Sequence, residues 1–141
     1  MAIRLRLRLA RASDRERSIE VVALVNSGYE VAEPEILLPS GVARELGLLP
    51  RLPEGSMVKE YFLADGSTTR LVWIPRAVRV YVVEEDRVEG GVESNVLVSD
   101  RAREPLISDK LAGRLGIVAL DIGGGLWCFR DEIGKRVRRT R

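Results

Sequence analysis

The sequence contains no histidine and no glutamine, only two asparagines (Asn26 and Asn95), and a single cysteine, Cys128. Without histidine, a Ser–His–Asp triad and a Cys/His zinc site are both excluded, and one cysteine forbids an intrachain disulfide. Acid–base chemistry is left to carboxylates, Tyr, Lys or Cys, and no metal or cofactor is implied. Long apolar runs are also missing. Stretches such as Ile36–Leu38 and Val96–Val98 fall far short of the ~20 residues a membrane span needs. The N-terminus alternates Arg with Leu where a signal peptide has an unbroken apolar region. Together these absences predict a soluble, cytoplasmic protein that makes no use of a membrane. Scarce Asn, Gln, Cys and Met beside 31% charged residues is a heat-adapted composition. A GC-rich genome favours the abundant Arg equally well.

What is present suits one domain. A chain of 141 residues, 45% of them hydrophobic, buries roughly 70% of its unfolded surface and needs no covalent staple. The formal net charge of +2 hides an asymmetry: residues 1–11 carry +4, residues 132–141 carry +4, and the body between them carries −6. The expected organisation is a single domain over residues 1–131 and a basic tail over 132–141. The tail has no apolar period that would bury it.

Ile3–Leu9 alternates strictly, giving a strand with an Ile/Leu face and an Arg face. Ile19–Val25 is nearly all apolar and reads as a strand buried on both faces. Ile36–Leu38 is a short strand, after which Ser40 is placed to cap a short helix that Gly47 ends. Val58–Ala64 and Ser67–Ile74 flank Asp65-Gly66, the signature of a two-residue hairpin. Pro75 interrupts before a strand over Ala77–Val83, and Val92–Val98 is a further strand. Leu106-Ile107 precedes a second short helix capped by Asp109 and ended at Gly116. Ile117–Leu120 and Leu126–Phe129 flank three glycines. Many short strands and two short helices make the fold class mostly β, closer to a closed barrel than an open sheet.

Glu35–Leu48 and Glu104–Ile117 align without a gap, and five of the fourteen positions are identical. Each reads as strand, cap, short helix, Gly stop. Any strand-to-helix unit with a Gly stop has this look; the alternative is two related half-units about a pseudo-twofold axis.

The apolar strand Val22-Ala23-Leu24-Val25 running into Asn26-Ser27-Gly28, then Ile36-Leu37-Leu38-Pro39 and the helix Val42–Leu46, resembles the retropepsin-like aspartic proteases of the archaeal and prokaryotic type. Their active-site segment is an apolar strand ending in Asp-Thr/Ser-Gly. The resemblance covers residues 18–130. It implies a closed acid-protease-like β-barrel, a homodimer with a shared groove, and a flap at the Gly-tipped hairpin Tyr61–Thr69, with Ala64, Asp65 and Gly66 at its tip. The pair Leu106-Ile107 before a helix matches a second family feature, with Ser108 where Gly is usual. The departure falls on the acid itself: Asn26 stands where the family has its aspartate. In the family two aspartates share a proton so that one activates water. A carboxamide has no titratable proton to share. The implied role is therefore a pseudo-protease that binds a peptide or other ligand. The alternative is a working aspartic endopeptidase, a hydrolase, after deamidation of Asn26 or through another carboxylate.

Candidate replacement acids are Asp65 and Asp109, each also explained by turn or cap chemistry. Glu30, Glu33 and Glu35 either line a groove or form a solvated acidic loop. Cys128 reads as a small buried residue. Arg4, Arg6 and Arg8 and the basic residues of 135–141 admit three readings: solvated charge, contact with the acidic body of a partner protomer, or nucleic-acid phosphate binding.

Overall fold

Alternating Arg and Leu over β1 (Arg4–Arg11) places Leu5, Leu7 and Leu9 in the core and the arginines outside, as the pattern predicts. A computed structural model describes residues 1–62 and 64–141. β1 pairs antiparallel on one edge with β2 (Ser18–Val25) and on the other with β5 (Thr68–Val83). That double pairing closes six strands of a seven-stranded sheet into a ring, in the order β1, β2, β7 (Leu106–Ile107), β3 (Glu35–Pro39), β6 (Val88–Ser99), β5, and the seventh strand, β4 (Met57–Phe62), pairs with β5 outside the ring. The fold is mostly β with two short helices, α1 (Ser40–Glu45) and α2 (Asp109–Arg114). A second sheet of β8 (Ile117–Asp121), β9 (Leu126–Phe129) and β10 (Arg138–Arg139) lies beside it.

The middle of the ring is interleaved. β2 runs parallel to β7, and β3 runs parallel to β6, while β3 and β7 lie antiparallel with Leu37 opposite Leu106. Leu37 and Leu106 are equivalent positions of the internal repeat. Both helices end alike, with Leu46 at φ −76, ψ −8 and Leu115 at φ −76, ψ −7, followed by Gly47 at φ +75 and Gly116 at φ +78. The repeated Gly stops are therefore left-handed C-caps.

Several expectations are corrected. β2 is buried on one face only: Val22 is 41% exposed, because its outward side chains lie beside the arginines of β1, with Arg6 opposite Val22 and Arg8 opposite Glu20. Ser40 does not cap α1; it is the first helical residue, and its hydroxyl bonds Asp100. Ser108, not Asp109, caps α2, accepting the Leu111 N–H at 3.2 Å. Pro75 does not end a strand. β5 continues through it by a bulge between Ile74 and Val78, a device that admits Pro to a ladder. The hairpin is wider than two residues, since Phe62 pairs with Thr68; Leu63, within the expected strand and flap, lies outside the described residues.

The basic tail is not free of the body. Arg138 is only 4% exposed, although no apolar period announces it. Its guanidinium bonds Asp86 (2.7 Å from both terminal nitrogens), Glu132 (2.8 and 2.7 Å) and Glu84 (3.2 Å), and lies over the Phe129 ring at 5.0 Å. Arg136 bonds Asp86 and Arg141 bonds Glu84. At the other end Arg4 makes a bidentate pair with Glu104 at 3.0 and 3.2 Å, and Arg8 reaches Glu20 at 3.5 Å. No helix among the described residues is long and apolar enough to cross a membrane.

Candidate functional site

β2 delivers Asn26 to the surface of the ring where it meets β7: the Asn26 N–H donates to the Ile107 carbonyl at 3.3 Å. The carboxamide then folds onto its own loop. Asn26 Oδ1 accepts the Gly28 N–H at 3.1 Å, and the Asn26 carbonyl accepts the Tyr29 N–H at 3.0 Å. Asn26, Ser27 and Gly28 thus form a tight turn capped by a side chain, the use for which Asn is suited. Asn26 is half-buried, and Ser27 and Gly28 are exposed.

The loop is tied to the second half of the chain. The Asp109 N–H donates to the Tyr29 carbonyl at 2.9 Å. Ser108 and Glu35 exchange two bonds: Ser108 N–H to the Glu35 carbonyl at 3.0 Å, and Glu35 N–H to Ser108 Oγ at 3.1 Å. One hydroxyl at position 108 therefore serves two backbone donors, Glu35 and Leu111, a use a glycine there could not supply.

Glu35 is the buried acid of this region, 5% exposed. Its carboxylate accepts the Tyr29 hydroxyl at 2.6 Å and the Trp73 indole N–H at 3.1 Å, so each oxygen has a donor. Burial, reinforced by Glu35, pushes the Tyr29 hydroxyl well above its ordinary range; the same two causes raise Tyr61. Lys59 Nζ sits 4.0 Å from the centre of the Trp73 ring. A cavity of about 200 Å³ opens between Lys59, Tyr61 and Trp73 at the hairpin base and Val31–Glu33, with Glu35 in its wall. Asn26 does not line it. Among the three candidate glutamates, Glu35 is thus built into the structure, Glu33 lines the cavity, and Glu30 is exposed. Tyr29 and Trp73 escaped the sequence reading. A lone indole on a strand gives no periodic signal, and its partner is far along the chain.

The carboxylates of the other candidates are engaged locally. Asp65 bonds the Ser67 hydroxyl at 2.5 Å and the Ser67 N–H at 2.9 Å, which hold its carboxyl below the usual range. Its hydrogen bonds stay within the hairpin tip, where Ala64 and Gly66 are exposed and Gly66 takes φ +85. Asp109 is exposed, and its carboxylate accepts the adjacent Lys110 N–H at 2.7 Å. Neither carboxylate bonds the Asn26 turn. Cys128 is fully buried, and burial pushes its thiol up, away from the reactive thiolate. No protein-family model matches the chain, and no curated protein sequence matches it.

Proposed function

We propose that this protein is a retropepsin-like, non-catalytic homodimer that binds an extended peptide between its protomers. The observation that carries the reading is Asn26 in the place of the family's aspartate, with its Oδ1 spent on the Gly28 N–H. A group that serves as a turn cap and has no titratable proton is not a general base. The setting supports the reading: β2 and β3 flank the Asn26 turn, each runs parallel to a strand of the other half, and the base of the hairpin that carries the exposed Phe62 reaches this region through Trp73, whose indole bonds Glu35. In this reading the ring is the acid-protease-like barrel, the repeat is its pseudo-twofold, and β4, with a neighbour on one side only, offers backbone groups to an extended chain.

Two measurements test it together. Light scattering on the purified chain is expected to return a dimer; a strict monomer removes the shared groove and overturns the reading. Cleavage of unstructured peptides at acid pH is expected to be absent in the wild type and to appear in Asn26→Asp. Wild-type cleavage that Asn26→Ala abolishes would establish the endopeptidase alternative instead. The basic ends lend nucleic-acid binding no comparable support, because Arg4, Arg8, Arg136, Arg138 and Arg141 all have carboxylate partners within the chain.

A further inference from the structure

The β5–β6 ladder loses register twice, between Ile74 and Val78 and again between Val80 and Tyr81. Both irregularities open on one cavity of about 500 Å³, lined by Arg76 from the first and Gly91 from the second. Arg76 takes φ +46, the one non-glycine residue among those described in the left-handed region. A residue with a Cβ is disfavoured there, and such outliers gather at ligand sites. The surrounding structure enforces it: the buried side chain of Asn95 accepts the Arg76 N–H at 2.8 Å. One of only two asparagines thus holds an arginine in a conformation that glycine would adopt freely.

The outcome is a cavity whose lining includes three arginines, Arg76, Arg79 and Arg114. Arg79 is steadied by the Gly91 carbonyl at 3.3 Å. Arg114 has no carboxylate partner among the described residues. Glu33 and Glu93 share the lining. Glu93 meets Arg76 at 3.5 Å with both side chains largely exposed, a loose pair that an incoming anion can replace. A lining with this mixture suits a ligand with two kinds of polar group. Guanidiniums match phosphate oxygens in fork geometry, and carboxylates accept from hydroxyls.

We propose that this cavity binds a phosphorylated polyol of the sugar-phosphate class, with Arg76, Arg79 and Arg114 on the phosphate and Glu33 and Glu93 on the hydroxyls. The assignment is independent of the reading of the Asn26 turn; the two cavities share only the wall of Ala32, Glu33 and Asn95. The full chain is titrated with ribose 5-phosphate, inorganic phosphate and ribose, by calorimetry and by amide NMR. Ribose 5-phosphate is expected to bind at least about tenfold tighter than phosphate and to shift the amides of Arg76, Gly91 and Glu93. Arg76→Gly relieves the backbone while removing the guanidinium, so it is expected to raise thermal stability yet weaken binding by about tenfold or more. Arg6→Ala, on the outer face of β1, is expected to change neither. Three results overturn the proposal: wild-type affinity in Arg76→Gly, an equal loss in Arg6→Ala, or no amide shift at the cavity. Equal affinity for phosphate and ribose 5-phosphate overturns the role given to Glu33 and Glu93.

Discussion

Glu35 and Ser108 hold the Asn26 loop, α2 and the hairpin base to one another through a few polar atoms. Removing the Glu35 carboxylate leaves the Tyr29 hydroxyl and the Trp73 indole N–H without their acceptor. Glu35→Ala is expected to cost about 2–4 kcal/mol, since two part-buried donors lose their partners at once, measured by urea denaturation with indole fluorescence. Ser108→Ala removes a helix cap and the acceptor for Glu35 N–H together. Its expected cost is about 1–2 kcal/mol, and Ser108→Thr is expected to recover part of it. At this scale the sequence is half legible. The apolar strand that runs into the Asn26 turn was legible in the sequence, whereas Ser108 looked only like a missing glycine. Its value depends on Glu35, 73 residues away, and no local pattern encodes that.

At the scale of elements, glycines separate the ladder irregularities from the helices. Gly90 takes φ +122, and a Cβ there would lie 2.5 Å from the Val80 carbonyl oxygen, which is backbone and cannot turn aside. Gly90→Ala is expected to lose about 2 kcal/mol or more through the combined strain and overlap. Gly41 in α1 and Gly113 in α2 have nothing within 4 Å of a built Cβ and lie in helices. Gly41→Ala and Gly113→Ala are each expected to gain roughly 0.5–1 kcal/mol by reducing unfolded-chain entropy; thermal melts of the three variants check the contrast. Elements with a period were readable: the Arg/Leu alternation of β1, both helices with their Gly stops, and the hairpin around Gly66. The passage of β5 through Pro75 was not. A bulge needs a partner strand to be out of register with, and that partner, β6, is not visible from residues 68–83 alone.

For the whole molecule the deciding feature is the clustering of charge around Arg138. The acidic body and basic tail, counted from the sequence as separate, are joined where Glu84, Asp86 and Glu132 surround one buried guanidinium. Periodicity could not reveal this, because the burial is driven by ion pairing and not by an apolar face. Arg138→Ala leaves three carboxylates facing one another and is expected to cost about 3–5 kcal/mol. The pH dependence has a definite sign. Hydrogen bonding to Arg138 holds Glu132 down at about 2 and lowers Asp86 as well. Carboxyls depressed in the folded state bind fewer protons there than in the unfolded chain, so their stabilisation is complete above the ordinary carboxylate value near 4.5 and is lost as the pH falls toward 2. Thermal midpoints are expected to decline across that window in the wild type and to decline less steeply in Arg138→Met.

The interleaving of β2, β7, β3 and β6 also bears on how fast the protein reaches its native state. Neither half of the chain can complete its own sheet, because β2 awaits β7 and β3 awaits β6, each from the opposite half. Ring closure through β1 and β5 adds another pairing between distant segments. Loop-closure entropy is spent on all of these before any of them is rewarded, so the transition state must gather both halves at once. Refolding is therefore expected on the millisecond-to-second scale typical of non-local β topologies, with the two halves acquiring protection in the same kinetic phase.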